Sequence, residues 1–286
     1  MFSRAILLAC VSLWPAVAGA VTLEPFKDNL FGYSRVLQSA DGGAYRVIDY
    51  DEMRDINGRD ETPERKVQGK YIALGVRRHQ KDLVADTPLG GIPHFAVGKT
   101  DGASVITVYL HGKGGSRKQG VDDFTFGGNF NRIKNLMVEN GGLYLSPDFS
   151  DFEDRGAAQV AALVSTYTAR SPNAKLFVAC GSMGGGLCWR LAADKAVSKR
   201  LSGLILLGSH WDDGFTKTPA YRAKVPVFIG HGSRDPVFPV ERQQAFYQSL
   251  HDAGYPARMV RFETGSHGTP IRMTDWRETL NWMLSR

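Results

Sequence analysis

From Ser104 onward, short apolar runs of strand length alternate with longer stretches whose apolar residues recur at helical spacing. Val105-Ile106-Thr107-Val108-Tyr109-Leu110 is β-branched and aromatic throughout, the composition of a strand buried on both faces. A helix is predicted around Phe130 to Glu139, a strand over Leu143-Tyr144-Leu145 closing at Pro147, and an amphipathic helix from about Asp154 to Ala169. Three more apolar runs, Leu176–Cys180, Leu201–Gly208 and Val225–Gly230, read as parallel strands. A helix from Val240 to about Ala253, a strand from Ala257 to Phe262 and a closing helix from Thr274 to Leu284 follow. The last of these carries Trp276, Leu280 and Met283 on one face. Strands alternating with helices predict an α/β fold, with a mostly parallel central sheet and helices on both faces.

Before Ser104 the pattern is weaker. Tyr45–Tyr50 alternates as a strand does, and Tyr71–Val76 reads as another. Asp51 to Lys66 is a charge-rich run expected to be a solvated loop, and the region from Pro88 to Pro93 is rich in turn formers. Residues 21–103 are therefore expected to form an N-terminal extension with leading strands, and 104–286 the α/β core. Residues 1–20 have a basic Arg4, an apolar stretch from Ala5 to Val17 and a small-residue end, Ala18-Gly19-Ala20. That is the make-up of a secretory signal peptide cleaved after Ala20, and the expected location is the periplasm or the medium. The stretch is short for a bilayer span and is interrupted by Pro15, and no later run is long enough, so stable membrane insertion is not expected.

Composition places the chain among ordinary globular proteins: 286 residues, 43% hydrophobic and 22% charged. The net charge of +6 is not gathered into one basic run, so no nucleic-acid partner is expected. Of the three cysteines, Cys180 and Cys188 follow the leader. Two free buried thiols are expected, because bridging requires Cα atoms within about 7 Å; in an oxidising compartment a bridge would fasten the serine-bearing turn to its own helix.

The chemistry centres on Leu176-Phe177-Val178-Ala179-Cys180-Gly181-Ser182-Met183-Gly184-Gly185-Gly186. A strand passes through small residues into a helix, with Ser182 at the apex of a tight turn. Small residues let strand and helix pass close together, and the helix start aims free N–H groups at the same point. A serine hydroxyl alone is a poor nucleophile and needs a base and a group to orient it. A second glycine-rich loop, His111-Gly112-Lys113-Gly114-Gly115, follows the strand ending at Leu110. It is no P-loop, because Gly114 stands where a Ser or Thr must follow the lysine. No metal cluster, nucleotide fingerprint or haem motif is present, and no cofactor is expected.

These stretches resemble the α/β-hydrolase superfamily, whose nucleophile elbow reads Gly-x-Ser-x-Gly. Here Cys180 stands at the first glycine and Gly184 at the last. The resemblance covers about Val105 to the C-terminus and implies the α/β-hydrolase fold, with Ser182 as nucleophile. By the same resemblance His111-Gly112-Lys113-Gly114 is the oxyanion loop, with N–H groups from Lys113 and Met183. Asp235, in His231-Gly232-Ser233-Arg234-Asp235-Pro236, corresponds to the acid, and His267, in Gly265-Ser266-His267-Gly268, to the base. Asp212 and Asp213 are the alternative acids. The chain order Ser182, Asp235, His267 is that of the superfamily and of neither chymotrypsin nor subtilisin.

The implied reaction is acyl transfer to water through a serine-bound intermediate, with the rate falling as the base histidine is protonated. Only a short segment separates Gly208 from Val225, too short for a large cap, so the site is expected to be open and bordered by His210, Trp211, Phe215 and Phe238. The expected partner is a small-molecule ester or the ester-linked end of a polymer, the substrates of the superfamily's esterases. A peptidase, thioesterase or phospholipase on the same three residues, or a catalytically silent fold used for binding, are the alternatives.

Overall fold

A computed structural model describes residues 22–61 and 65–286; the expected leader and its cleavage point lie outside the described residues. The strands are β1 (Val36–Ala40), β2 (Tyr45–Asp49), β3 (Asp60–Glu61), β4 (Lys66–Val67), β5 (Gln80–Ala85), β6 (Ile92–Gly98), β7 (Val105–Leu110), β8 (Leu143–Pro147), β9 (Lys175–Gly181), β10 (Leu201–Leu207), β11 (Val227–Gly232) and β12 (Ala257–Glu263). Ten of them form one sheet in the order β1-β2-β12-β11-β10-β9-β7-β8-β6-β5, and β3 and β4 pair separately. The centre is parallel from β8 through β7, β9, β10, β11 and β12 to β2. Antiparallel pairs close both edges, β1 on β2 and β5 on β6, with β6 antiparallel to β8.

The apolar runs are split between two cores because successive side chains of a strand point to opposite faces. On β9, Leu176, Val178 and Cys180 join one core, while Phe177 and Ala179 join the other. The first core is covered by the helices Asp154–Arg170, Gly185–Ala193 and Val240–Asp252, through residues such as Leu163, Leu187 and Leu250. The second is covered by Asn129–Glu139, Thr269–Met273 and Trp276–Leu284, through Ile133, Ile271, Trp276, Leu280 and Met283. Two faces buried at once explain why the central strands read as unbroken apolar runs.

The leading region differs from expectation. Tyr71–Val76 is not a strand: residues Gly69–Tyr71 and Leu74–His79 form 3-10 turns. The strand comes later, as β5, whose polar edge sequence QKDLVA shows little burial and so carried no apolar signal. Within the charged run, Met53–Asn57 forms a turn of π-helix, and Asp60 turns inward. Arg272, on the short helix that follows the loop bearing His267, forms a buried ion pair with Asp60 and donates to the Asp55 carbonyl oxygen at 3.0 Å. Arg59 lies over the rings of Phe31 and Tyr71 and donates to Gly127 O at 3.1 Å. A segment that reads as solvated loop is therefore tied to the second core through Ile56 and to the small cluster of Phe31, Val67 and Tyr71 through Arg59.

The ion pair has a measurable consequence. Asp60→Ala leaves a buried guanidinium without its carboxylate, so it should cost about 3–5 kcal/mol in urea unfolding; a loss below 1 kcal/mol would mean that Arg272 finds other partners.

Candidate active site

Ser182 sits where β9 ends and a 3-10 turn, Ser182–Gly184, leads into the helix Gly185–Ala193. Its φ is +50°, a left-handed conformation that a residue with a Cβ adopts only under constraint. The constraint is close backbone passage. A Cβ on Gly112 would lie 2.7 Å from Ser182 Cβ, and one on Gly184 would lie 2.7 Å from Leu110 O and 2.8 Å from His111 O. The glycine loop after β7 and the serine turn after β9 thus fit together only without side chains at these two points.

Three side chains that lie far apart in the sequence meet at this turn. His267 Nε2 lies 2.8 Å from Ser182 Oγ, and His267 Nδ1 lies 2.8 and 3.0 Å from the two Asp235 carboxylate oxygens. In the tautomer that satisfies both sides, the serine hydroxyl donates to Nε2 and Nδ1–H donates to the carboxylate. Asp235 follows β11, its side chain fully buried, and its Oδ1 also accepts N–H bonds from Val237 at 2.8 Å and Phe238 at 3.1 Å. Burial pushes the Asp235 pKa up, but the His267 bond and the two backbone N–H groups outweigh it and hold the carboxyl below its ordinary value.

Asp212, an alternative acid, instead accepts from Gly214 N at 2.7 Å in a turn. The oxyanion candidates flank the serine: Lys113 is exposed next to Gly112, and Met183 follows Ser182 in the turn with 38% exposure. Phe238 borders the base, its ring centroid 5.7 Å from that of His267, and His210 packs on Phe238 with centroids 5.6 Å apart. Burial lowers the His210 pKa, against an opposing contribution from Asp212. Trp211 lies beneath the Arg242 guanidinium, 4.9 Å from the ring centroid. Phe215 does not border the site: it is fully buried among Trp189, Tyr221, Phe246 and Tyr255. Its segment, Phe215–Lys217 and Pro219–Arg222, holds short turns, in keeping with the absence of a large cap.

Two features escape a reading of the sequence. Cys180 and Cys188 are bridged, with Cα atoms 6.3 Å apart, which corrects the expectation of free thiols. The serine turn itself brings them together: β9 and the helix behind it pack on one core, and the pair falls within bridging distance. Cys180 thus stands at the first motif glycine as one half of a bridge to that helix. The other feature is His231, four residues before Asp235 and fully buried. Its Nε2 lies 2.9 Å from Phe238 O and 3.4 Å from Asp235 Oδ2, while Nδ1 has no partner, and burial lowers its pKa. A neutral imidazole donating from Nε2 adds a positive edge beside the carboxylate. A histidine at a strand end carries no sequence signal separating this role from plain packing. His111 likewise stacks on Phe149, 4.3 Å between centroids, and bonds Gly112 O through Nδ1 at 2.9 Å.

Among the described residues no cluster of three or more His, Cys, Asp or Glu could hold a metal ion, and no helix is long and apolar enough to cross a membrane.

No family model matches the chain, and no curated protein matches it by sequence. Solved structures do match. A thermostable esterase aligns with TM-score 0.58 and 18% identity over 73% of this chain and 64% of its own. An esterase from Pyrococcus furiosus aligns with TM-score 0.53 and 17% identity over 80% of this chain and 98% of its own. An alpha-beta serine hydrolase homologue from Coxiella burnetii gives TM-score 0.53 and 18% identity over 70% and 95%. The chain therefore has the α/β-hydrolase fold, and it spans somewhat under two thirds of the thermostable esterase.

Two outcomes follow from the bridge and the buried acid. In the unreduced, unfolded chain a thiol reagent should leave Cys180 and Cys188 unlabelled until reductant is added; labelling before reduction contradicts the bridge. Because the folded Asp235 pKa lies below its unfolded value, its contribution to stability is complete above the ordinary aspartate range near 3.9 and is lost as pH falls through the lower folded value. The urea-midpoint difference between the native chain and Asp235→Asn should therefore shrink below about pH 4; a difference that grows with acid reverses the sign.

Proposed function

We propose that this protein is a serine hydrolase that cleaves carboxylic esters. The observation that carries the reading is the continuous hydrogen-bond path from Ser182 Oγ through His267 to the buried Asp235 carboxylate, which starts at a left-handed turn. The likeness of the fold to that of solved esterases supports it.

In this reading Ser182 Oγ attacks the acyl carbon while His267 Nε2 takes the hydroxyl proton. Asp235, held ionised by its N–H donors, keeps Nδ1 protonated and stabilises the imidazolium. The carbonyl oxygen, now an anion, is met by the N–H groups of Met183 and Lys113. Collapse breaks the bond to the alcohol oxygen, which leaves with the proton from Nε2. Water then attacks the acyl-serine, giving up a proton to His267, and the acid is released with Ser182 restored. His210 and Phe238 border the bound ester. No step calls for a cofactor. The leader-like residues 1–20 and the buried bridge, of a kind that persists in oxidising compartments, support export to the periplasm or the medium.

Ser182→Ala should lower kcat on ethyl butyrate by on the order of 10⁶, read by pH-stat, if the three residues act as a unit. Retention of more than a tenth of the native rate would refute the mechanism.

A further inference from the structure

One cavity lies against the loop that carries the base and has no part in the reaction above. It measures about 430 Å³, within the size range of small-molecule sites, and its walls include Tyr50, Ile56, Phe126, Glu52, Arg65 and Gly268. Ser266 and Gly268, the two neighbours of His267, both line it. The other walls come from the segment after β2, from the loop that precedes the helix Asn129–Glu139, and from Thr269 and Arg272 of the helix Thr269–Met273.

Phe126 is its most unusual wall. Its φ is +48°, and Gly127 and Gly128 follow at +63° and +75°. Glycine takes that conformation freely, so the strain falls on Phe126 alone, an aromatic residue held in the left-handed region. The ring is held by an edge contact with Phe130, centroids 5.7 Å apart, and lies 3.6 Å from where a Gly268 Cβ would stand. Arg272, fixed by Asp60, forms a rigid wall beside it, and Glu52 and Arg65 are exposed.

The reaction says which part of an ester belongs on this side. The base must return its proton to the departing oxygen, so the alcohol portion lies on the His267 flank of Ser182. We propose that this cavity receives the alcohol portion of the ester, and that Tyr50, Ile56 and Phe126 select an alcohol carrying an aromatic or other cyclic group. The inference rests on the esterase reading above, and it locates part of the substrate specificity in Tyr50 and Ile56, outside the core strands.

Kinetics and binding test it separately. On esters that share one acyl group, Ile56→Trp, which fills the cavity, and Phe126→Ala, which removes a wall, should each lower kcat/KM for benzyl butyrate about tenfold. For ethyl butyrate the change should stay below about twofold. Equal changes on both esters, or none on either, overturn the proposal. Saturation-transfer NMR with benzyl alcohol reads the cavity without catalysis: the native chain should give a signal that Ile56→Trp abolishes. A native chain with no signal, or a signal unaffected by filling, overturns the cavity assignment. If ethyl butyrate goes uncleaved while benzyl alcohol still binds in the predicted way, the esterase reading fails and the cavity assignment stands.

Discussion

The site depends on one backbone condition: at Ser182 the chain must turn left-handed while a second loop passes within van der Waals contact of it. Gly112 and Gly184 meet that condition by having no side chain. Once it is met, the serine hydroxyl is raised off the sheet edge toward the loop that follows β12, and the remaining interactions take up that position. The Cys180–Cys188 bridge acts on the same turn, joining its strand to its helix. Strain at Ser182 is thus held by packing on one side and by a covalent link on the other.

The second arm of the site, the loop bearing His267, is braced from outside the core. Thr264 Oγ1 donates to Tyr50 O at 2.8 Å, Asn129 donates to the carbonyl oxygens of Ile271 and Thr274, and Arg272 reaches Asp55 and Asp60. Apart from Asn129, these partners come from the residues just after β2, the strand that pairs with β12. The leading residues therefore do two things at once. They extend the sheet past its last core strand, and they fix the position of the imidazole relative to Ser182 through hydrogen bonds to the loop that carries it.

The core of this arrangement was legible in the sequence because its cause is local or periodic. Val105–Leu110 and Leu201–Leu207 are apolar runs of strand length, Ala257–Glu263 mixes buried apolar with half-buried charged positions, and the strands stand where those stretches lie. The glycine pattern around Ser182 announces a tight passage, and the loops bearing Asp235 and His267 follow strands as read. What stayed hidden depends on long-range contacts. β5 is a polar edge strand whose partner alone defines it, and Asp60 looks like any solvated acid until Arg272 arrives from more than two hundred residues away. Phe215 is aromatic and near the site in sequence, yet an aromatic cluster takes it into the core. The bridge needed the strand-to-helix distance, which no spacing of eight residues specifies by itself.

The central claim is that the Ser182 hydroxyl is a nucleophile made reactive by the imidazole of His267. The measurement nearest to it is reaction of the full chain with a fluorophosphonate at neutral pH, with the adduct mapped by mass spectrometry. The account predicts one adduct, on Ser182, formed rapidly by the native chain and slowed at least a thousandfold in His267→Ala. A folded native chain that remains unlabelled, or one labelled as fast without the histidine, would contradict it.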